Sequence, residues 1–282
     1  MAVNITVGLT HFKSIVRKES LYESNFECWL SYYKEYQTIF DVLFKKIYMS
    51  TLDDLSSYIN TLDLKEMMRR AEYSLERHPV AEIEIMVRQC MVYFNMDIAF
   101  DVFMLVGLDG IDGAAPISDK PFLFFGLERM NHSDLSILIP HEFNHLCRFQ
   151  YLKNVEDLHH LTVKQLTVAE GLAVLTPLVM NNLRLTNENL SSTMMITVEE
   201  YKALQKRTER IVSEMTNDFD SPLSPELLAK YFMANADSDL PGKSGYFFGV
   251  MIITLLLQKG YSLKELSYKK TEEIVALYEQ IS

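Results

Sequence analysis

Two short and strongly apolar segments near the middle of the chain place the tightest constraint on its fold. Residues 101–108 (DVFMLVGL) and 121–128 (PFLFFGLE) are rich in Val, Leu and Phe, and the connection between them holds glycine, aspartate and proline. This pattern is typical of β-strands joined by a loop or a wide hairpin. Residues 3–9 are a candidate for a further strand. We therefore expect a small sheet at the centre of the fold.

Helix signals dominate the remainder of the chain. A capping box, in which the first hydroxyl and the fourth side chain bind free amides at a helix start, begins at each of Ser24, Thr162, Thr197 and Ser262. Ser224 followed by Pro225 indicates another helix start, and Gly260 indicates a helix end. We expect a mostly helical α+β protein, with a helical N-terminal region over residues 1–95 and a second region over residues 96–282, closely packed as one domain or two.

Charge, cysteines and hydropathy exclude several classes of protein. The chain has 282 residues and a net charge of −11, and its longest basic runs are dipeptides. Nucleic acids and anionic membranes attract dense clusters of Lys and Arg, so neither is an expected partner. Cys28, Cys90 and Cys147 show no repeated spacing, which argues against a disulfide framework. Residues 246–257 are the most apolar run but are too short to span a bilayer, and residues 1–13 do not resemble a signal peptide, so we expect a soluble cytoplasmic protein.

Residues 137–148 (ILIPHEFNHLCR) contain the pattern His-Glu-x-x-His. On an α-helix, a four-residue step returns to nearly the same face, so His141 and His145 would point the same way and could bind one ion. A catalytic zinc takes three protein ligands and leaves a fourth position to water. Glu142 would lie beside that position and accept the proton of the water. The pattern therefore predicts a zinc-dependent hydrolase with Glu142 as its base.

A third ligand is expected from another helix. Glu170 is the only acid in a long apolar stretch, where a carboxylate either stays neutral or binds a cation. We predict that Glu170 completes a Zn²⁺ site with His141 and His145. The alternative is a buried histidine pair, with Glu142 in solvent and Glu170 paired with an arginine such as Arg148.

Residues around the motif leave several questions open. Pro140 directly precedes the first histidine, and a proline is tolerated in the first turn of a helix but kinks it elsewhere. Arg148 is a candidate to orient a ligand, while Cys147 is expected to fill a buried space. His159 and His160 are either mobile groups near the site or, as we favour, an exposed pair in a polar loop.

The motif HEFNH and the later AEGLA around Glu170 resemble the gluzincin metallopeptidases. More closely, these two segments and residues 243–249 (KSGYFFG) resemble the YjaZ-type family of predicted bacterial zinc-dependent proteases. The resemblance covers roughly residues 100–275, and it implies a zincin-like fold with a small sheet packed on the motif helix. Tyr246 either donates a hydrogen bond to the developing oxyanion or is a packing residue, and both roles stay open.

These features together predict a zinc metallopeptidase that hydrolyses a peptide or protein substrate through a zinc-bound water activated by Glu142. The strand at residues 121–128, directly before the motif helix, is expected to be a sheet edge that pairs with the extended substrate. The first alternative is a zinc-binding regulatory or interaction protein without protease activity. The second is a metal-free helical interaction domain. The sequence specifies neither the substrate nor the oligomeric state.

Overall fold

The computed structural model describes residues 3–233 and 240–281. The described residues form fifteen α-helices and four β-strands, so the chain is mostly helical with one small sheet, as expected. The chain divides into two compact units, Met1–Leu146 and Cys147–Ser282, and the division falls inside one continuous helix, α7 (Leu135–Leu152). The boundary near residue 95 that the sequence suggests stays a prediction.

The first unit begins with a strand and six helices. The helices are α1 (Leu9–Val16), α2 (Asn25–Glu35), α3 (Gln37–Lys46), α4 (Leu52–Thr61), α5 (Leu64–Arg77) and α6 (Val80–Phe94). Three of them start where a side chain, Ser24, Thr51 or Asp63, accepts the N–H of the residue three positions on. Aromatic side chains of α2 and α3 fill the core, with the rings of Trp29 and Phe40 4.9 Å apart edge to face.

The sheet of the first unit is mixed. Its strands are β1 (Asn4–Val7), β2 (Asp101–Leu105), β3 (Gly113–Ala114) and β4 (Phe122–Gly126). They lie in the order β1-β2-β4-β3, where β1 and β4 run parallel to β2 and β3 runs antiparallel to β4. The three strands expected from the sequence are therefore confirmed.

One expectation about this sheet is wrong, and one of the two alternatives for the connection between β2 and β4 is excluded. The strand before the motif helix, β4, is not an edge, because it lies between β2 and β3. Nor does a hairpin join β2 to β4, because these strands are parallel and β3 lies in their connection. Every residue of β4 is buried, and an unbroken apolar run of this kind is typical of a strand covered on both faces. The edge on this side of the sheet is β3.

The motif helix α7 begins at Leu135, too early for Pro140 to lie in its first turn. Asp134 precedes the helix and accepts the N–H of Ser136 with its side chain at 2.9 Å. Pro140 is therefore an interior residue, and it removes the N–H that would otherwise bind the carbonyl of Ser136. The helix nevertheless continues to Leu152.

The second unit is helical. Its helices are α8 (Val163–Met180), α9 (Asn187–Thr193), α10 (Val198–Gln205), α11 (Thr208–Asp218), α12 (Pro225–Phe232), α13 (Ser244–Gln258), α14 (Leu263–Tyr268) and α15 (Thr271–Glu279). The capping boxes predicted at Thr162, Thr197 and Ser262 are confirmed. At Ser24 in the first unit the hydroxyl caps α2, but Glu27 binds the amide of Glu23 instead of completing the box.

Helices α8 and α13 form the centre of the second unit. They meet at Gly171 and Gly249, where a Cβ on either residue would come within 3.0 Å of the other helix's backbone. Helix α8 is long and apolar enough to span a membrane by composition alone, but 78% of that stretch is buried within the protein. This burial agrees with a soluble protein, and the cytoplasmic location stays a prediction.

Candidate metal centre

Three predicted ligand side chains come together in the structure. The imidazoles of His141 and His145 and the carboxylate of Glu170 each offer one ligand atom, and these atoms all lie within 4.8 Å of one another. Each of the three residues is less than a tenth exposed. The two histidines are one helical turn apart on α7, and their Nε2 atoms lie 3.2 Å apart.

The geometry and chemistry of this group fit a metal ion. Zinc bonds to imidazole nitrogen are about 2.0–2.1 Å long, so a tetrahedral ion separates two such nitrogens by about 3.3–3.4 Å. The observed distance between the Nε2 atoms is 3.2 Å. Two imidazole nitrogens and one carboxylate oxygen also form a donor set that catalytic zinc sites use. The buried group can therefore hold a metal ion.

Glu142 is enclosed by the protein, contrary to the alternative that places it in solvent. It follows His141 on α7 and is 8% exposed. A Cβ built on Gly113 of β3 would lie 3.0 Å from the Cγ of Glu142 and 3.1 Å from Leu138. The absence of a side chain at Gly113 therefore lets the edge strand lie directly against the carboxylate side chain.

The opposite side of α7 has a structural role. Phe143 is fully buried, and its ring packs against Phe94 and Phe100 with centroid distances of 5.9 and 5.6 Å. Such aromatic packing fixes the rotation of the helix about its axis. With Phe143 in the core, the histidines four residues apart must point elsewhere.

Arg148 binds the connection between α14 and α15. Its Nη1 donates to the carbonyl oxygen of Lys269 at 2.9 Å, and its Nη2 donates to the Oγ1 of Thr271 at 2.9 Å. Burial lowers the pKa of this guanidinium to about 10. Arg148 is therefore directed to these acceptors, which argues against its proposed roles as the partner of Glu170 or as a ligand-orienting group.

Of the remaining candidate residues, two lie on the surface, one is buried in the core, and the catalytic role of the last stays a prediction. His159 and His160 are exposed, and the Nδ1 of His160 lies 3.1 Å from an Asp157 oxygen, so the surface pair is confirmed. Cys147 is buried, as expected for a filler. Tyr246 lies half-buried in the first turn of α13, and its role in catalysis stays a prediction.

Sequence reasoning missed one buried carboxylate, Glu128. It is 1% exposed, and its two oxygens accept the backbone N–H groups of Gly107 and Asp109, each at 2.9 Å. Burial raises its pKa to about 7. The signal in the sequence is the same as for Glu170, because Glu128 is a lone acid at the end of an apolar segment.

Comparison with known proteins agrees with the geometry. A family model described as "Predicted Zn-dependent protease (DUF2268)" matches residues 73–276, which is more than half of the chain. No curated protein and no solved structure matched the chain in the other two comparisons. The match is consistent with the YjaZ-type resemblance and confirms it. The chain therefore belongs to the DUF2268 family of predicted zinc-dependent proteases.

Proposed function

We propose that this protein is a zinc metallopeptidase of gluzincin type with a zincin-like arrangement of sheet and motif helix. The observation that carries the proposal is the buried group formed by His141, His145 and Glu170, with Glu142 next in sequence to the first ligand. The family description supports zinc as the ion and peptide bonds as the target.

In this proposal each side chain has a distinct task. His141 and His145 are neutral and present their Nε2 atoms, while Glu170 is ionised and contributes the third ligand atom. When bound, zinc supplies a Lewis acid that polarises the peptide carbonyl and makes the attacking water more acidic. Glu142 accepts a proton from that water and returns it to the leaving amine. Tyr246 donates a hydrogen bond to the carbonyl oxygen as negative charge develops there.

The substrate in this proposal is an extended peptide bound along β3. This strand is the last one in the sheet, so its outer edge is unpaired within the described strand order. Gly113 of β3 lies against Glu142, which would bring a peptide on this edge close to the proposed base. Main-chain pairing with a sheet edge is a common way to bind extended peptides. The corrected strand order therefore replaces β4 by β3 as the docking edge.

The test compares Glu142→Gln with the unsubstituted protein in a casein or peptide-library assay. Glutamine keeps the shape of the side chain but cannot accept the proton, so we expect turnover to fall at least about a hundredfold. Metal analysis should show unchanged zinc, because Glu142 is not one of the ligands. Glu82→Gln, an exposed substitution on α6, serves as the matched control and should change neither property.

Two results would contradict the proposal. Full turnover in Glu142→Gln would remove Glu142 from the mechanism. Zinc at one ion per chain, without turnover of any peptide by the unsubstituted protein, would favour the zinc-binding regulatory or interaction protein.

A further inference from the structure

The loop at residues 106–112 joins β2 to β3 and is held by a carboxylate that the proposed mechanism does not use. Oε2 of Glu128 accepts the N–H of Gly107, and Oε1 accepts the N–H of Asp109. Glu128 is 1% exposed, and its bond to Gly107 is buried while its bond to Asp109 is partly buried. One buried side chain thus satisfies two backbone donors of the same loop.

Other side chains fix the same loop without carrying this charge. The hydroxyl of Tyr32 accepts the N–H of Val106 at 3.1 Å, and the hydroxyl of Tyr58 donates to the carbonyl of Leu108 at 3.0 Å. The Glu128 carboxylate binds the amides of Gly107, which lies between these two residues, and of Asp109, which follows them. The loop is therefore positioned residue by residue.

The loop leads directly to the edge strand. At its end, the carbonyl of Asp112 accepts the N–H of Gly126 at 3.0 Å, and the Asp112 carboxylate binds Nε of Arg129 at 2.7 Å. The next residue is Gly113, which lies against Glu142. Any shift of the loop would therefore be passed along the chain to the strand beside the proposed base.

The two amide bonds favour an ionised Glu128. A carboxylate accepts hydrogen bonds on both oxygens, whereas a carboxylic acid uses one oxygen as a donor. Bonds to an ionised acceptor are also stronger than those to a neutral one. A neutral Glu128 would hold one of the two N–H groups less well.

We propose that Glu128 is a positioning residue for the metal centre, whose ionised carboxylate fixes loop 106–112 and thereby holds β3 against Glu142. The inference rests on the proposed function where it assigns Glu142 and β3 to catalysis. Its first part, the control of the loop by the charge of Glu128, stands on the hydrogen bonds alone.

This arrangement makes the loop sensitive to pH near neutrality. Burial is the main cause that raises the pKa of Glu128 to about 7, hydrogen bonds from the backbone amides of Gly107, Asp109 and Glu128 itself lower it, and the nearby charge of Asp109 raises it further. The charged and titratable groups that surround Glu128 come from the helices, the connections between them and the loop itself: Tyr32, Tyr48, Tyr58, Arg70, Asp109 and Arg129. Arg70 pairs with both oxygens of Asp109, at 2.9 and 2.8 Å, and so offsets the neighbouring negative charge.

The experiment measures hydrogen exchange of the backbone amides at residues 107, 109 and 114 between pH 4 and pH 8, corrected for intrinsic rates. In the unsubstituted protein, protection of these amides should fall as the pH drops through about 7. In Glu128→Gln, the amides of Gly107 and Asp109 should exchange at least about tenfold faster at pH 8, and their protection should no longer depend on pH. Tyr58→Phe removes an uncharged contact to the same loop and should retain the pH dependence.

Peptide hydrolysis supplies a second readout that a purely structural role would not move. In Glu128→Gln, the KM for an extended peptide should rise about tenfold at pH 8, with zinc content unchanged. Glu128→Asp keeps an ionisable group and should restore part of the pH dependence.

Unchanged exchange at Gly107 and Asp109 in Glu128→Gln would overturn the inference, and so would a profile of their exchange in the unsubstituted protein that stays flat from pH 8 down to pH 4, below the ordinary glutamate pKa of 4.5. The pH series on the unsubstituted protein decides the matter even if the variant does not fold. Lack of peptide hydrolysis in the unsubstituted protein would count against the proposed function only. The role of Glu128 in the loop is tested separately by the exchange data.

Discussion

Glu128 and Glu170 are both carboxylates in apolar segments, and each is buried beside groups that favour its charge. Glu128 faces two backbone amides, and Glu170 faces two imidazoles that can share a cation with it. An isolated charge at such a position would cost several kcal/mol. Buried acids in this protein are therefore signs of specific local chemistry.

The pH dependence of stability gives a prediction for Glu128. Folding raises the pKa of Glu128 from the ordinary 4.5 to about 7, so the folded protein binds the proton more tightly than the unfolded chain does. The stabilisation from this proton is fully present below pH 4.5 and is lost as the pH rises through about 7. A shift of this size corresponds to about 3 kcal/mol. The difference in free energy of unfolding between the unsubstituted protein and Glu128→Gln should change by about that amount from pH 4.5 to pH 8, as measured by urea denaturation.

Ionisation of Glu128 therefore lowers the free energy of unfolding with rising pH, although the same ionisation orders loop 106–112. The charge that holds Gly107 and Asp109 also carries the desolvation cost of a buried carboxylate. A free-energy difference between the two proteins that stays constant across this pH range would show that Glu128 does not titrate in the folded state as described.

At the scale of elements, the packing of α8 against α13 positions the helix that carries Glu170. Gly171 directly follows Glu170 and touches Gly249 of α13, so the two helix backbones meet beside the proposed ligand. Close approach of this kind requires glycine at both positions. The crossing of the two helices therefore fixes the position of α8, and with it that of Glu170, relative to α13.

Gly249→Ala should disrupt this crossing. The added Cβ would lie within 3.0 Å of the carbonyl oxygen of Thr167, a backbone atom that cannot move alone. We expect a loss of about 3 kcal/mol in unfolding free energy, as for other overpacked cores. Thr254→Ala on the same helix is the control and should cost less than about 1 kcal/mol. Equal stability of the two variants would contradict the described packing.

The edge strand β3 gives a second prediction at this scale. In Gly113→Ala, the new methyl group would press on the side chains of Glu142 and Leu138, which can move. We therefore expect a folded protein with normal zinc content whose kcat falls about tenfold, because Glu142 is displaced from its working position. Ala114→Gly on the opposite face of the strand is the control. If Gly113→Ala and the control have the same kcat, the proposal that β3 positions Glu142 is contradicted.

Local signals in the sequence predicted the elements more fully than their arrangement. The capping boxes at Thr162, Thr197 and Ser262 were identifiable because all the groups involved lie within four residues. The two-residue strand β3 gave no such signal, since it is defined by its pairing with β4. The unbroken apolar run of β4 did carry the information that it is an internal strand, but its neighbours in the sheet depend on distant segments.

The site shows the same distinction. Glu170 was predicted because the histidine motif supplied a reason to look for a third ligand. Glu128 gave a similar signal, yet its partners, the amides of Gly107 and Asp109, become evident only when the loop is folded. Likewise, Arg148 binds acceptors more than a hundred residues away, such as Thr271, and no spacing rule relates them.

At the scale of the whole molecule, the central claim is that one zinc ion is held by His141, His145 and Glu170. The most direct measurement is the zinc content per chain of the protein purified without chelator, compared with His145→Ala and His160→Ala. We expect one zinc per chain in the unsubstituted protein and in His160→Ala, whose histidine is exposed on the surface, and little zinc in His145→Ala, because two remaining protein ligands bind the ion weakly. A full equivalent of zinc in His145→Ala, or an unsubstituted protein that cannot bind zinc, would contradict the account.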